Sequence, residues 1–385
     1  MKTEAAHLYL APEVNAIVED LSARLSRQSD RWLAASSTKP TYFEFFTIEL
    51  HAVTERMKKA NPSFVASSPE RDVVHSVEFL HRVPNLKVSG SSSEYGSSNI
   101  VLNTLPFSLQ FCKKLQALWL TKCDATMLRG LDGVKQTTKR LTAHYSLSHL
   151  KDLLCDKENM EGPIEDMQRW QALEHCDLSF NQISEIDHSV ILLHHVTTLN
   201  LGHNCLRDIG TSLQHLPNLT TLDLSNNGIE TMEDWHLKLG NVKKLILKGN
   251  SVRSLAGLSK VYSLEHLSME ENSLLRVEDV WPVGGLPCLH KLLLKGNPVE
   301  SVLEYRTRVL EAFGSRAKEV ALDGVKASQR ELDTVGVRMA ISKAKKEKEE
   351  MLDQTRRHLN EKLRMLSTSL EAGDAGPSAA CSAPS

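Results

Sequence analysis

The sequence is poor in aromatic residues, in net charge and in long apolar runs. Aromatic residues form 5% of the 385 positions, although hydrophobic residues together reach 41%. This balance suits stacked repeats better than an ordinary enzyme core. The formal net charge is −2, so the overall balance gives no reason to expect binding to nucleic acid. No apolar run approaches the roughly 18 residues that a spanning helix needs, so we expect no direct insertion into a membrane.

The cysteines and the N-terminus favour a reducing compartment. The seven cysteines are scattered, form no C-x-x-C pair and do not flank the repeats in pairs. The N-terminus, Met1–Glu4, lacks the apolar stretch that characterises a signal peptide. We therefore expect a cytoplasmic protein whose thiols are free and reduced.

Motifs typical of enzymes and metal proteins are also missing. The sequence contains no glycine-rich phosphate loop, no G-x-S-x-G, no H-E-x-x-H and no His/Cys/Asp cluster with metal spacing. Glu270 and Glu271 are adjacent carboxylates, but on an open, hydrated face their pKa values would stay ordinary, which does not suit acid–base catalysis. We therefore expect a protein that is not an enzyme and that uses no cofactor or metal.

A leucine-rich phrase closed by asparagine recurs through the second half of the chain. The closing residues are Asn181, Asn204, Asn227, Asn250, Asn272 and Asn297, separated by 23, 23, 23, 22 and 25 residues. One copy of the phrase runs from Leu219 through Leu222 and Leu224 to Asn227 and Ile229. This is the leucine-rich repeat. It predicts an α/β solenoid with short parallel strands on its concave face, a C-terminal cap and helical flanks.

The asparagines are interpreted as structural. Where each strand ends, the chain turns inside a dry core, and some backbone groups can no longer form ladder bonds. An asparagine side chain supplies one acceptor and two donors at that corner. We therefore predict that the six asparagines form a ladder that bridges successive turns, rather than a ligand site.

Pattern and composition divide the chain into six segments. They are an N-terminal segment of unclear role (1–40), an N-terminal flanking region (41–110), the repeats (111–300), a C-terminal cap (301–324), a charged helix (325–370) and a disordered tail (371–385). The flanking region is expected to cover the open N-terminal end of the solenoid. The cap is needed because an open array would expose its apolar core.

The last three regular repeats are predicted to present a partner-binding patch on the concave face. Its candidate residues are Ile246, Leu293, Lys244, Lys248, Lys291 and Lys295. Apolar centres with a charged rim are typical of protein interfaces. The alternative interpretation is a solvated charge ladder formed by Lys248, Glu270 and Lys295, which would contribute little energy.

The charged helix carries a short heptad stripe. Leu352, Leu359 and Leu366 are seven residues apart, and Leu363 and Leu370 are offset by four. A confident coiled coil needs a longer stripe. The pattern therefore leaves open a dimerising helix and a solvated helix that docks on its own cap.

Several segments, most of them outside the repeat phrase, resemble the nischarin family. They are Ile48–Glu55, Leu86–Gly90, Leu105–Leu109, His144–Ser146, Trp170–Leu173, Ser184–Asp187, Lys238–Asn241, Tyr305–Thr307, Glu331–Val335 and Ala340–Lys345. The resemblance covers roughly residues 45–348. It implies a scaffold for integrin tails, Rac-type GTPases and their effector kinases that restrains cell migration. The family's phosphoinositide-binding PX domain is not found in this sequence, which weakens the endosomal placement that the resemblance otherwise implies.

Two classes of function follow. The first is a cytosolic adaptor that binds a small GTPase, a kinase or a receptor tail through the concave face. The second is a regulatory subunit of an enzyme, because the repeats also resemble the leucine-rich subunit that wraps protein phosphatase 1. The sequence leaves the identity of the partner and the oligomeric state open.

Overall fold

The computed structural model describes residues 11–36, 41–59, 73–95, 100–155 and 162–373. Its strands are β1 (Phe43–Phe46), β2 (Asn85–Ser89), β3 (Phe107–Ser108), β4 (Ala117–Thr121), β5 (Leu128–Arg129), β6 (Arg140–His144), β7 (His175–Asp177), β8 (Thr198–Asn200), β9 (Thr221–Asp223), β10 (Lys244–Ile246), β11 (His266–Ser268), β12 (Lys291–Leu293), β13 (Ala321–Leu322) and β14 (Val325–Lys326). Within the described residues, twelve of these strands form one sheet. The predicted leucine-rich-repeat solenoid is confirmed.

The sheet runs in chain order along the molecule. Its order is β1-β2-β4-β6-β7-β8-β9-β10-β11-β12-β13-β14, while β3 and β5 form a separate parallel pair. Neighbouring strands of the main sheet are parallel until β13 and β14, which pair antiparallel. That hairpin turns through Asp323 and Gly324, both with left-handed backbone, as a two-residue type I′ turn requires.

The leucine spacing explains why each repeat contributes a strand at this place. In β9, Leu222 and the following Leu224 are fully buried, whereas Asp223 between them points to the opposite, concave face and is half-buried. Side chains alternate in this way along any strand. The leucines of all repeats therefore line one continuous core.

Helices and short turns form the side of the solenoid opposite the strands. The helices are α1 (Ala11–Ser36), α2 (Thr47–Met57), α3 (Val73–Arg82), α4 (Asp132–Thr137), α5 (Lys151–Leu154), α6 (Trp235–Lys238), α7 (Tyr305–Glu311) and α8 (Gln329–Gly373). Between β7 and β12, most repeats use one turn of 3-10 helix, such as His188–Leu192 or Ser212–His215. No helix in the described part of the chain is long and apolar enough to cross a membrane.

The N-terminal end is covered by three helices. Helix α1 packs against α2 and α3 through an apolar face whose buried residues are Val14, Val18, Leu21 and Leu25. The Ser22 hydroxyl hydrogen-bonds the Ser76 hydroxyl across the α1–α3 contact at 2.7 Å. Since β1 and β2 continue the parallel sheet on the N-terminal side of residue 111, this region also extends the solenoid rather than only closing it.

The C-terminal cap combines α7 with the β13–β14 hairpin. The Arg316 guanidinium donates to the carbonyl oxygens of Leu286 and Leu289, the latter at 2.8 Å. The Tyr305 hydroxyl donates to the Asp323 carboxylate at 2.9 Å. These bonds satisfy backbone and side-chain groups at the end of the array, where no further repeat follows.

Helix α8 starts on the cap and then leaves it. Leu332 and Val335 pack against the core, and Arg338 forms an ion pair with Glu304. Every described side chain from Met339 to Arg364 is exposed, including Leu352, 60% exposed, and Leu359, 60% exposed. Docking on its own cap therefore applies only to the first turns of α8. Of the heptad leucines, Leu366 and Leu370 lie outside the residues with described side chains, and 374–385 of the predicted tail lie outside the described residues.

Candidate functional site

The six asparagines of the repeat phrase connect each turn to the previous one. Asn227 accepts a hydrogen bond from the Leu206 amide at 3.0 Å. Its side-chain amide donates to the carbonyl oxygens of Leu201 and Leu224, both at 3.0 Å. Asn181, Asn204, Asn250, Asn272 and Asn297 repeat these bonds to their own turns and to the turn before. The asparagines thus satisfy backbone groups that the strand end leaves unpaired.

Two other polar residues take the asparagine position in the first repeats. The Cys123 thiol donates to the carbonyl oxygens of Val88 and Thr121 at 3.2 and 3.3 Å. Burial raises the pKa of this thiol to about 12, so it stays protonated and unreactive. The Ser146 hydroxyl accepts from the Cys123 amide at 3.2 Å. The bridging role therefore continues through the irregular repeats.

A column of residues with left-handed backbone immediately precedes the asparagine position. Its members are Lys122, Tyr145, Phe180, His203, Asn226, Gly249, Glu271, Gly296 and Asp323, with φ between 52° and 77°. The chain needs this conformation to leave the strand and start the turn. Glycine adopts it without steric cost, whereas a bulky L-residue rarely does. The turn therefore requires a left-handed backbone at this position but does not require a particular side chain.

The predicted patch lies on the concave face, where its two apolar residues flank a serine. Ile246 pairs with Ser268 on the next strand, and Ser268 pairs with Leu293 on the one after. Ile246 and Leu293 are half-buried. Part of each apolar side chain therefore remains accessible on the concave face.

The lysines of the patch differ in their surroundings, and one of them has a different ion-pair partner from the one that the sequence predicted. Lys248 forms its ion pair with Glu271 at 3.1 Å and not with Glu270. The expected ladder of Lys248, Glu270 and Lys295 is therefore wrong at its first step. Glu271 belongs to the left-handed column, in the turn that follows β11. The Glu270 carboxylate instead accepts from the Ser268 hydroxyl at 3.1 Å, while Lys295 is exposed.

Lys244 and Lys291 lie on either side of His266. The three residues are in register across β10, β11 and β12. Burial, together with the two ammonium groups, lowers the pKa of His266 to about 4. The imidazole is therefore neutral at physiological pH, and the cationic character of this part of the face comes from the lysines.

Sequence reasoning missed a row of aromatic and histidine side chains on the N-terminal half. We call Trp119, His144, Tyr145, Phe180 and His203 the aromatic row. Ring centroids are 6.1 Å apart for Trp119 and His144 and 5.7 Å for His144 and Phe180. The rings of Phe180 and His203 are stacked at 4.2 Å. The repeat phrase marks the buried leucines and the asparagine of each turn, so its spacing gives no signal for these exposed rings.

A groove runs beside the aromatic row. It encloses about 910 Å³, and Tyr145, Phe180 and His203 form part of its wall. The carboxylates of Asp124 and Asp152 also line it, and no lysine or arginine is among the described residues that do. The groove therefore combines aromatic surface with negative charge.

The described part of the chain brings together no metal-ligating cluster, and its Cys112 and Cys176 are buried in the core. No group of three or more His, Cys, Asp or Glu residues there could hold a metal ion. Burial raises the pKa of Cys112 to about 12 and raises that of Cys176 as well. These thiols are therefore core residues rather than nucleophiles.

Comparisons with known proteins agree with the repeat architecture. A family model described as leucine rich repeat matches residues 171–229. The serine/threonine-protein kinase 11-interacting protein of Homo sapiens is 30% identical over 269 residues, which cover 69% of this chain and 24% of that protein. Its Mus musculus counterpart is 36% identical over 224 residues, covering 57% and 21%. The chain spans about a quarter of the length of these relatives.

A solved leucine-rich-repeat protein of Leptospira interrogans is also similar. It shares 17% identity with a TM-score of 0.46, over 65% of this chain and 56% of that one. This chain is a leucine-rich-repeat protein with homology to a kinase-interacting protein. The resemblance to nischarin stays a prediction from the segments quoted above.

Proposed function

We propose that this protein is a non-catalytic adaptor that holds a protein partner on the concave face of its repeats. The observation that carries the proposal is the open concave face, on which Ile246 and Leu293 remain half-exposed across the Ser268 position. Folding alone would be served by polar residues here, as at Asp177 or Asp223 in other repeats. A broad, rigid surface with apolar centres is suited to a folded partner.

The partner that best fits is a component of serine/threonine-kinase signalling. The support is the similarity to a protein whose name describes interaction with such a kinase. A small GTPase or receptor tail, as the nischarin resemblance implies, and a phosphatase catalytic subunit are the competing partners. The proposal places the encounter in the cytoplasm, where the buried thiols stay reduced.

Affinity purification of the tagged full chain from cells tests the proposal. A kinase subunit recovered in near-equal amount supports it, and a GTPase would redirect it toward the nischarin-like role. Recovery of a phosphatase catalytic subunit would instead favour the regulatory-subunit alternative. If no protein is retained above the level of a tag-only control, the adaptor proposal fails.

A further inference from the structure

Two rings of the aromatic row stand at the left-handed position of the turn. Tyr145 and Phe180 have φ of 53° and 56°, a region that bulky residues rarely occupy. Lys122, Glu271 and Gly249 fill the same position in other repeats. The turn therefore forms without an aromatic side chain, and the rings are a property of this surface rather than a demand of the fold.

The rings are also presented to solvent. Tyr145 is 61% exposed and Phe180 is 38% exposed, so much of their surface is not used by the core. Phe180 is held by stacking on His203, and the His203 ring in turn contacts the Asn226 side-chain amide at 3.0 Å. A ring that is already fixed loses little entropy when a ligand stacks on it.

The charge beside the row selects the kind of ligand. Asp124 and Asp152 line the groove next to Tyr145, without a lysine or arginine among the described lining residues. On the strand side, Asp177 Oδ2 lies 3.4 Å from His144 Nε2. Although burial opposes ionisation, hydrogen bonds from His144 and Ser179 lower the pKa of Asp177. The row thus lies between carboxylates, and a cationic ligand complements it.

We propose that the aromatic row and its groove bind an arginine-containing basic segment of a partner protein, with guanidinium groups stacked on Tyr145 or Phe180 and hydrogen-bonded to Asp124 or Asp152. Arginine fits better than lysine because its planar group stacks on rings and can engage a carboxylate through two parallel bonds. A proline-rich segment would use the rings but would bring no cation to the carboxylates, whose partners among the described residues are the His149 imidazole beside Asp152 and the Thr126 amide at Asp124. The proposal rests on the adaptor function and names the chemistry of its ligand.

The length of the ligand follows from the repeat spacing. Tyr145, Phe180 and His203 belong to consecutive turns, which are about 4.8 Å apart in the direction across the strands. These three rings therefore span about 10 Å, which three or four extended residues cover. Alternate residues of an extended segment point the same way, so arginines two apart would face the row together.

Fluorescence anisotropy of labelled nine-residue peptides on the purified full chain tests this proposal. The peptides carry Arg-x-Arg, Lys-x-Lys or Gln-x-Gln at their centre, and a fourth peptide is proline-rich. We expect the arginine peptide to bind at least tenfold more tightly than the glutamine peptide and several-fold more tightly than the lysine peptide. Equal binding of the arginine and glutamine peptides, or preferred binding of the proline-rich peptide, would overturn the proposal.

Variants separate the rings from the charges. Tyr145→Ser should lower the affinity for the arginine peptide about tenfold. Asp124→Asn with Asp152→Asn should lower the affinity for the arginine peptide by a similar factor and make that affinity less dependent on salt. Asparagine at position 124 can still accept the bond from the Thr126 amide that Asp124 accepts now, so the local turn is kept. The matched control Tyr262→Ser alters a tyrosine that is 59% exposed away from the row and should leave binding unchanged. An equal loss with Tyr262→Ser would count against the row.

The result of the peptide titration can be distinguished from the result of the affinity purification that tests the adaptor proposal. If purification recovers a partner but no arginine peptide binds, the adaptor function stands and the inference about the row is wrong. If the arginine peptide binds and the row variants abolish it, the inference stands whichever partner purification recovers. Thermal unfolding of each variant verifies that the loss of binding is not a loss of fold.

Discussion

Asn250 offers the sharpest test of what holds the turns together. It is 7% exposed, and all its bonds lie inside the array. Its side-chain oxygen accepts from the Ile229 amide at 3.1 Å, and its amide donates to the carbonyl oxygens of Leu224 and Leu247, both at 3.0 Å. A fourth, long bond runs from the same amide to the Lys248 carbonyl at 3.5 Å. Asn250→Ala removes all of these bonds while leaving the left-handed turn in place.

The expected loss follows from those bonds. A buried amide left without an acceptor costs about 1–3 kcal/mol, and each carbonyl that loses a donor adds about 0.5–1.5 kcal/mol. We therefore expect Asn250→Ala to lower the free energy of unfolding by roughly 2–6 kcal/mol. Asn218→Ala is the matched control, because the Asn218 side chain donates only one exposed bond, to the His194 carbonyl at 3.2 Å. It should cost less than about 1 kcal/mol.

Asn250→Asp tests the direction in which stability changes with pH. The carboxylate keeps the acceptor but loses the donors and places a charge in the core, so its pKa in the folded state would be raised. The folded state then holds a proton that the unfolded state releases, so the stability of this variant relative to the wild type should rise as the pH is lowered toward 4. Urea unfolding followed by circular dichroism measures all three variants. A loss in Asn250→Ala no larger than in Asn218→Ala would refute the bridging account.

Three further predictions concern the two surfaces and the histidine between the lysines. Tyr145→Gly should be more stable than Tyr145→Ala by about 0.5–1 kcal/mol in urea unfolding, because both remove the ring but only glycine relieves the left-handed backbone; equal stability would show that the strain is absent. Ile246→Asp with Leu293→Asp should abolish partner capture in the pull-down, whereas Leu275→Asp, at a leucine 62% exposed outside the strands, should not; retained capture by the double variant would remove the patch from the proposal. The pKa of His266 is lowered to about 4 in the folded state, so the unfolded chain binds more protons and stability should fall as the pH drops from about 6.5 to about 4. His266→Asn should flatten that pH dependence of the melting temperature, and an unchanged slope would assign it to other groups.

The solenoid could be predicted because its core repeats in the sequence. Leu222 and Leu224 have equivalents in every regular repeat, and each equivalent is buried for the same reason. The N-terminal strands escaped this reasoning, since β2 ends at Ser89 and Gly90 without an asparagine. There Asn103, from a later turn, accepts the Ser91 amide bond at 2.9 Å and donates to the Lys122 carbonyl at 2.8 Å. Asn103 thus bridges two turns as the repeat asparagines do, but from a different place in the sequence, so a fixed spacing between asparagines could not reveal it.

Side-chain pairing on the concave face was less predictable. Strand register places Lys248 two residues beyond Ile246, and spacing alone suggested Glu270 as its partner. The structure instead shows the next residue, Glu271, which has the left-handed backbone of the turn, with its carboxylate 3.1 Å from the Lys248 ammonium. The repeat spacing could not distinguish these two adjacent glutamates, because it records the strand positions and not the conformation of the turn.

The aromatic row follows from the same property of the turn. The repeat phrase records the residues that the core demands, and the position before the asparagine is not one of them. Its backbone is fixed while its side chain is free, so this position can change surface chemistry without altering the stacking. The row at Phe180 and His203 and the patch at Ile246 lie two strand steps apart between β8 and β10, about 10 Å. That distance, measured from His203, is short enough for one partner of ordinary size to reach both surfaces, so the affinity purification and the peptide titration can be compared on the same partner.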